Sequence, residues 1–191
     1  ALAAANPSAS WAHRLRNSPH DLAELALSAE RDELGITAGF QDRLVQSYGV
    51  ALAMDFSGPI PHCVPLGALP GQVFVAWKSS GAEPSGVVHG SLRTQYDGDV
   101  GTTRATMAAI AEQGHIAATA IGNQDVAALG TAIDRTLDLR AQLMPLDEEL
   151  LAVASTVRAL GGHANWTGSG GAIAVLVASP EHRTATEALL R

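Results

Sequence analysis

The chain has 191 residues, of which 47% are hydrophobic and only 4% aromatic, and its formal charge is −7. That length supports one large domain or one and a half small ones, with a core filled by Ala, Leu and Val, as suits helices packed closely on a sheet. The acidic residues are scattered and no basic stripe is present, which excludes a nucleic-acid footprint. The single Cys63 excludes an internal disulfide and the usual zinc-site spacings, and it fits a reducing compartment. It reads as a small, half-buried residue beside a Pro-rich loop, without a role.

The opening Ala1-Leu2-Ala3-Ala4-Ala5 has no initiator Met and resembles the end of a helix entered from outside. The expectation is a downstream portion of something longer. No segment reaches the apolar length of a transmembrane helix and no signal-peptide pattern is present, so neither a membrane partner nor an exported location is expected. The expected location is cytoplasmic.

Residues 6–17 are polar and broken by Pro7, as in a loop. Ser18 is an N-cap candidate and Pro19 sits at a favourable first-turn position. Leu22, Leu25, Ala26 and Ala29 follow at helical spacing until Gly35. A second helix is predicted over 40–48, stopped by Gly49, and a strand over 50–56. Pro59, Pro61, Pro65 and Pro70 forbid a central strand or helix over 58–71. Residues 73–77 read as a buried strand and 78–85 as a polar loop. Helices are predicted over 87–96, 102–119, 124–144 and 147–160, the last capped by Asp147 with Leu150, Leu151, Ala154 and Val157 on one face. A strand, a glycine-rich turn, the apolar strand 172–177 and a helix opened by Pro180 complete an α+β pattern.

Two segments carry candidate chemistry. The first is Gly161-Gly162-His163-Ala164-Asn165-Trp166-Thr167-Gly168-Ser169-Gly170-Gly171. So many glycines let backbone N–H groups approach a bound group closely, and they equally serve a tight β-hairpin that needs positive φ. The second runs from Glu30 to Leu44. Gly35 and Gly39 bracket a turn that delivers Asp42 to the first turn of a helix, where the dipole and free N–H groups stabilise a carboxylate. Arg43 lies beside it. An ordinary helix-start Asp with a surface Arg fits the same residues.

As a whole the chain resembles the C-terminal portion of a GHMP kinase, the superfamily of galactokinase, homoserine kinase and mevalonate kinase, and within it the glucuronokinase-like sugar kinases. The resemblance rests on five blocks in collinear order. Leu27-Ser28-Ala29-Glu30, Glu33-Leu34-Gly35-Ile36 and Ala38-Gly39-Phe40-Gln41-Asp42-Arg43, with Gln46 and Tyr48-Gly49, look like the catalytic-aspartate segment. Met54-Asp55-Phe56 looks like the strand after it, and Ser85-Gly86, His89, Arg93 and Asp97-Gly98-Asp99 match a further block. Asp138-Leu139-Arg140 and Thr167-Gly168-Ser169-Gly170-Gly171 resemble the closing motifs.

The resemblance implies residues 1–58 as the end of an N-terminal kinase domain and 59–191 as a ferredoxin-like βαββαβ-type C-terminal domain with extra helices. It implies ATP and Mg2+ as cofactors and a sugar or sugar acid as the acceptor, phosphorylated at a hydroxyl, with the anomeric one suggested by the subgroup. Asp42 would be the general base or would orient that hydroxyl, and Arg43 would hold an anion or offset charge. Gln41, His89 and Arg93 would contact substrate, with Arg93 as a carboxylate or phosphate clamp. Thr167, Gly168, Ser169, Gly170 and Gly171 would support the phosphates. No metal ligand is assigned. Asp97-Gly98-Asp99 lacks the remaining ligands of a calcium loop and reads as a turn, while Lys78 at a strand end stays ambiguous.

Two departures stand out. The family's ATP-binding Pro-x-x-x-Gly-Leu-x-Ser-Ser-Ala-type loop is absent and would precede Ala1, so the chain alone is expected to be inactive. Asn165 and Val87 stand where the family often has Lys. A non-catalytic ligand-binding or regulatory protein on the same scaffold is the other reading, and one piece of a split or clipped kinase is a third. An obligate half would expose an apolar face along Leu22 to Ala29 and the first strand, and associate to cover it.

Overall fold

The computed structural model of the chain describes residues 18–36, 38–77, 92–98, 102–168 and 171–190. The expected loop over 6–17, the polar loop over 78–85 with Lys78, Val87, His89, Asp99, Ser169 and Gly170 lie outside them. The described residues divide into two compact units between Gly67 and Ala68.

In the first unit, Ser18 caps α1 (Pro19–Ser28): its Oγ accepts from the Asp21 N–H at 3.2 Å, and Pro19 fills the first turn. The helix then widens into a π turn over Ala29–Glu33, where the Leu34 N–H reaches the Ala29 carbonyl. The helical spacing continues to Gly35 as expected, but the widened turn is not visible in it. Helix α2 (Phe40–Tyr48) starts after Gly39 and ends on Gly49 at φ 67°. Ala23 and Leu27 of α1 and Leu44 of α2 are buried, which packs the two helices together, whereas Leu22 and Leu25 are exposed. Strand β1 (Leu52–Asp55) pairs antiparallel with β2 (His62–Pro65), with Met54 opposite Cys63. The sequence signals no element over 58–71. Its prolines bar a central strand, but a two-stranded ribbon consists only of edges, and Pro65 falls at the last rung. Burial pushes the half-buried Cys63 thiol up.

The second unit is built on a three-stranded antiparallel sheet in the order β3-β5-β4, with β3 (Gln72–Trp77), β4 (His163–Trp166) and β5 (Ala172–Val177). Helix α3 covers 92–97 of the stretch predicted over 87–96. It is followed by α4 (Thr103–Gly122), α5 (Val126–Leu143), α6 (Glu148–Ala159) and, after β5, α7 (Pro180–Leu189). Asp125, Asp147 and Ser179 cap three of these through side-chain oxygens. The α+β class is therefore correct. Central β5 buries Ile173, Val175, Leu176 and Val177, each contributing about 1.5–3 kcal/mol of hydrophobic stabilisation. Residues 73–77 differ from their expected burial. As the outer strand of the described sheet, β3 buries Phe74 but leaves Val73, Val75 and Trp77 exposed on its other face.

Asp134 of α5 ties the helices to the sheet. Its Oδ1 accepts from Arg158 Nε at 2.9 Å and from the Ala164 N–H at 3.0 Å, while Oδ2 meets His163 Nδ1 at 2.7 Å. Arg158 also donates to Asp138 at 2.9 Å, so one carboxylate and one guanidinium join α5, α6 and β4. Two glycines permit the closest approaches among the described residues. A Cβ on Gly130 of α5 would lie 2.0 Å from the His163 ring, and one on Gly71 would lie 2.6 Å from the Val177 carbonyl oxygen.

Candidate active site

Each unit carries one part of the expected site. In the first, the π turn and α2 are joined by a loop that Arg31 braces, its Nε and Nη2 donating to the Ala38 carbonyl at 3.0 and 2.8 Å. That brace sets the entry to α2. Gln41 and Asp42 are then the second and third residues of the helix, both exposed, at the end where N–H groups lack intrahelical partners. The Asp42 side chain is 73% exposed and has a single polar contact among the described residues, Arg43 Nη1 at 3.3 Å from Oδ2. Its other oxygen has no partner among the described residues.

Arg43 is far less open. Its Nη2 donates to Glu30 Oε1 of the π turn, and this hydrogen bond, together with the charges of Glu30 and Asp42, outweighs partial burial to hold the guanidinium above its ordinary pKa. Glu30 Oε2 is buried without a partner among the described residues. The unit thus presents an accessible carboxylate beside an arginine already engaged. A hydroxyl could donate to Asp42; an anion at Arg43 would compete with Glu30. The sequence blocks contain Glu30, but no local pattern links it to a residue thirteen positions later.

In the second unit, the glycine turn joins β4 to β5. Trp166 pairs with Ile173, and beyond that rung Thr167 donates twice to the Ala172 carbonyl, from its N–H at 3.0 Å and its Oγ1 at 3.1 Å. Gly168 and Gly171 hold φ of 52° and 83°. The positive φ that the hairpin reading expects is therefore present at both of these glycines. Arg140, in the last turn of α5, reaches under the turn and donates from Nη1 to the Trp166 carbonyl and from Nη2 to the Gly168 carbonyl at 2.7 Å. No acidic side chain pairs with it among the described residues, and burial pulls its guanidinium below the ordinary arginine range. Sequence reasoning places Arg140 in a motif without assigning it work, because its partners lie 26 and 28 residues away.

Arg93 stands on α3, exposed, with Nε 2.7 Å from Asp97 Oδ2 one turn on. An anion at Arg93 would displace or share that partner. Phe74, Val75, Ala76, Trp77, Arg183 and Glu187 line an open cleft of about 510 Å³ along β3 and α7. None of the expected site residues among the described ones borders it. His20, Asp21 and Glu24 of α1 bring ligand atoms within 4.8 Å of one another, a grouping that a helix start commonly carries without an ion. Mg2+ takes most of its oxygens from phosphates and water; the open Asp42 oxygen is left to a hydroxyl.

No family model matches the chain. Among curated proteins, it is 35% identical over 167 aligned positions to the probable glucuronokinase 2 of Arabidopsis thaliana, with 79% of this chain and 44% of that protein covered. Glucuronokinase 1 of the same plant is 32% identical over 167 residues, with the same shares. The chain thus spans 44% of the length of the curated relatives it matches. Among solved structures, the Lin0012 protein from Listeria innocua superposes with a TM-score of 0.63 at 13% identity, covering 84% of this chain and 44% of that one. The L. major mevalonate kinase in complex with R-mevalonate gives 0.64 at 22% identity, covering 85% and 51%. At such identities the structures establish the fold. Fold, collinear motifs and curated relatives agree: the chain is glucuronokinase-like and has the fold of a GHMP kinase.

Proposed function

We propose that the chain supplies the catalytic-aspartate segment (residues 1–58) and the C-terminal domain (residues 59–191) of an ATP- and magnesium-dependent sugar kinase. The acceptor is the anomeric hydroxyl of a sugar acid. One observation carries this reading: an open carboxylate, Asp42, stands at a helix start beside an engaged arginine, in a chain whose curated relatives are named glucuronokinases.

In this reaction the sugar hydroxyl donates its hydrogen bond to Asp42 as its oxygen attacks the γ-phosphorus. The new O–P bond forms as the bond to the β–γ bridging oxygen breaks, ADP leaves with that electron pair, and the proton ends on the Asp42 carboxylate. Magnesium supplies charge neutralisation on the phosphates. Gln41 faces the acceptor from the same helix turn, and Arg43, kept oriented by Glu30, offsets charge developing beside Asp42. His89 and Arg93 recognise the acid group, with Arg93 exchanging Asp97 for it. Thr167, Gly168, Ser169, Gly170 and Gly171 support the phosphates. Among the described residues no helix is long and apolar enough to cross a membrane; ATP use fits the cytoplasm.

A second reading, a ligand-binding regulator, is favoured by Asn165, which stands where the family often has Lys. Its Oδ1 accepts from the Trp166 N–H at 2.8 Å, so it brings no cation to the turn. An ATP-consumption screen on the full-length gene product separates the two, with glucuronate, galacturonate, glucose, galactose, a heptose phosphate and mevalonate as acceptors. Turnover confined to the sugar acids is the expected result. Sugar or ATP binding with no turnover for any acceptor would establish the regulator.

A further inference from the structure

We propose that Gly67 is a one-residue hinge about which the two compact units reorient, held between a fixed point on each unit. On the first unit, the Leu66 N–H donates to the Ala51 carbonyl at 2.8 Å, which extends the β1–β2 ribbon one step past the pair Leu52 and Pro65. On the second, Gln124 Nε2 donates to the Ala68 carbonyl at 2.8 Å. The residues that follow have little freedom of their own. Pro70 is buried and its ring fixes φ, and the residue before a proline is restricted to extended backbone, which confines Leu69. Gly71 is packed so closely that a Cβ would lie 2.6 Å from the Val177 carbonyl oxygen. Gly67 keeps the widest backbone range of this stretch: it is exposed, and a Cβ there would meet nothing within 4 Å.

The Gln124 side of the hinge is held against backbone strain. At the end of α4 the Gln124 N–H returns to the Ile121 carbonyl at 3.1 Å and the Asp125 N–H to the Ala120 carbonyl at 2.9 Å. That pattern puts residue 124 in left-handed backbone, a position glycine usually fills. Gln124 takes it at φ 56°, the one non-glycine residue with positive φ among the described residues. Glycine would relieve the strain but would bring no side-chain amide. Both N–H donors of that amide are used, one on the Ile121 carbonyl at 2.9 Å and the other on Ala68, the first residue of the second unit. The strained residue thus fastens the chain at the point where it enters that unit. Asp42 belongs to the first unit and the glycine turn to the second. On the kinase reading, which the hinge itself does not need, rotation at Gly67 serves the opening and closing of a site around its substrates.

The test uses the full-length gene product with its native cysteines replaced by serine and spin labels on Glu24→Cys and Ser155→Cys, exposed positions on different units. The width of the label-to-label distance distribution is read in Gly67→Ala, Gly67→Pro and Gln124→Ala, with Gly114→Ala on α4 as the control, where a Cβ likewise meets nothing within 4 Å. Without the substitutions at 67, 114 and 124 the distribution should be broad. Gly67→Ala should narrow it and Gly67→Pro should bring it to about half that width, because each removes backbone range. Gln124→Ala should broaden it, and Gly114→Ala should leave it as it was. A single narrow distance before any of these changes, Gly67 variants as broad as their parent, or equal narrowing by Gly114→Ala overturns the proposal. If Gly67→Pro fails to melt cooperatively, Gly67→Ala decides. In ATP consumption, Gly67→Pro should lower kcat/KM about tenfold; unchanged turnover despite the narrowing removes the motion from catalysis. A protein that phosphorylates nothing, yet narrows at Gly67, defeats the kinase reading and leaves the hinge standing.

Discussion

Asp42 and the glycine turn are held in place by opposite means. Asp42 rides on the outside of a helix start, with one 3.3 Å polar contact among the described residues and a side chain 73% exposed. The turn is anchored from beneath, by Arg140 and by the last rung of a hairpin whose central strand is almost wholly buried. Nearby, the Asp134 carboxylate fastens α5, α6 and β4. Residues proposed to meet a substrate must stay open to it, so stability has to come from elsewhere. Asp42 can therefore be lost at almost no cost in stability, whereas the framework of the turn cannot.

The largest effect expected is on turnover. Asp42→Ala in the full-length gene product should cut kcat by about 10²–10⁴-fold, the range for a positioned acid or base, while the melting temperature holds. Phosphorylation that survived largely unchanged would remove Asp42 as the base and end the contrast. Asp134→Ala should do the reverse. Left without their acceptor, Arg158, His163 and the Ala164 N–H lose partners, which should cost about 2–3 kcal/mol in chemical denaturation.

A sharper probe is Gly130→Ala. The new methyl collides with the His163 ring at 2.0 Å, and overpacking of about 1–3 kcal/mol should outweigh the roughly 1 kcal/mol gained in helix propensity. The combination with His163→Ala should recover part of that loss; a double variant no better than the sum of its parts would mean that the ring is not the obstacle. Glu30→Gln frees Arg43 from its ion pair and should slow turnover about tenfold, roughly 1.4 kcal/mol in barrier, with little change in melting.

The smallest expected effect is on pH dependence. Its own backbone N–H and the Ser179 cap hold the Glu181 carboxyl below its ordinary range at the start of α7. A pKa depressed on folding adds stability above the unfolded value of about 4.3 and loses it as pH falls through the folded one. The melting difference between wild type and Glu181→Gln should accordingly be present at neutral pH and vanish in acid. A difference that grew in acid would reverse the sign.

Much of this was legible in the sequence because the signals were local. Gly39 and Gly49 frame α2, Ser18 and Asp147 stand at the caps they were expected to fill, and the apolar run 172–177 is the central strand. The position of Asp42 follows from counting residues after Gly39. What stayed hidden was non-local. Nothing near Arg140 indicates that it reaches 26 and 28 residues ahead, and nothing near Glu30 indicates Arg43. The strand β2 was hidden for another reason: prolines argue against central strands, and its ribbon has none.

Gly130 and Gly71, the two most closely packed glycines among the described residues, differ in what a lineage can do with them. Gly130 is constrained by a side chain, so its freedom to become alanine depends on which residue a descendant keeps at position 163. An exchange of His163 for something smaller opens the way, and the order of the two changes then matters: histidine first, glycine second. Gly71 faces a main-chain oxygen, which every residue at position 177 carries. No partner substitution can release it, so it should stay fixed across descendants in which Gly130 and His163 have drifted together.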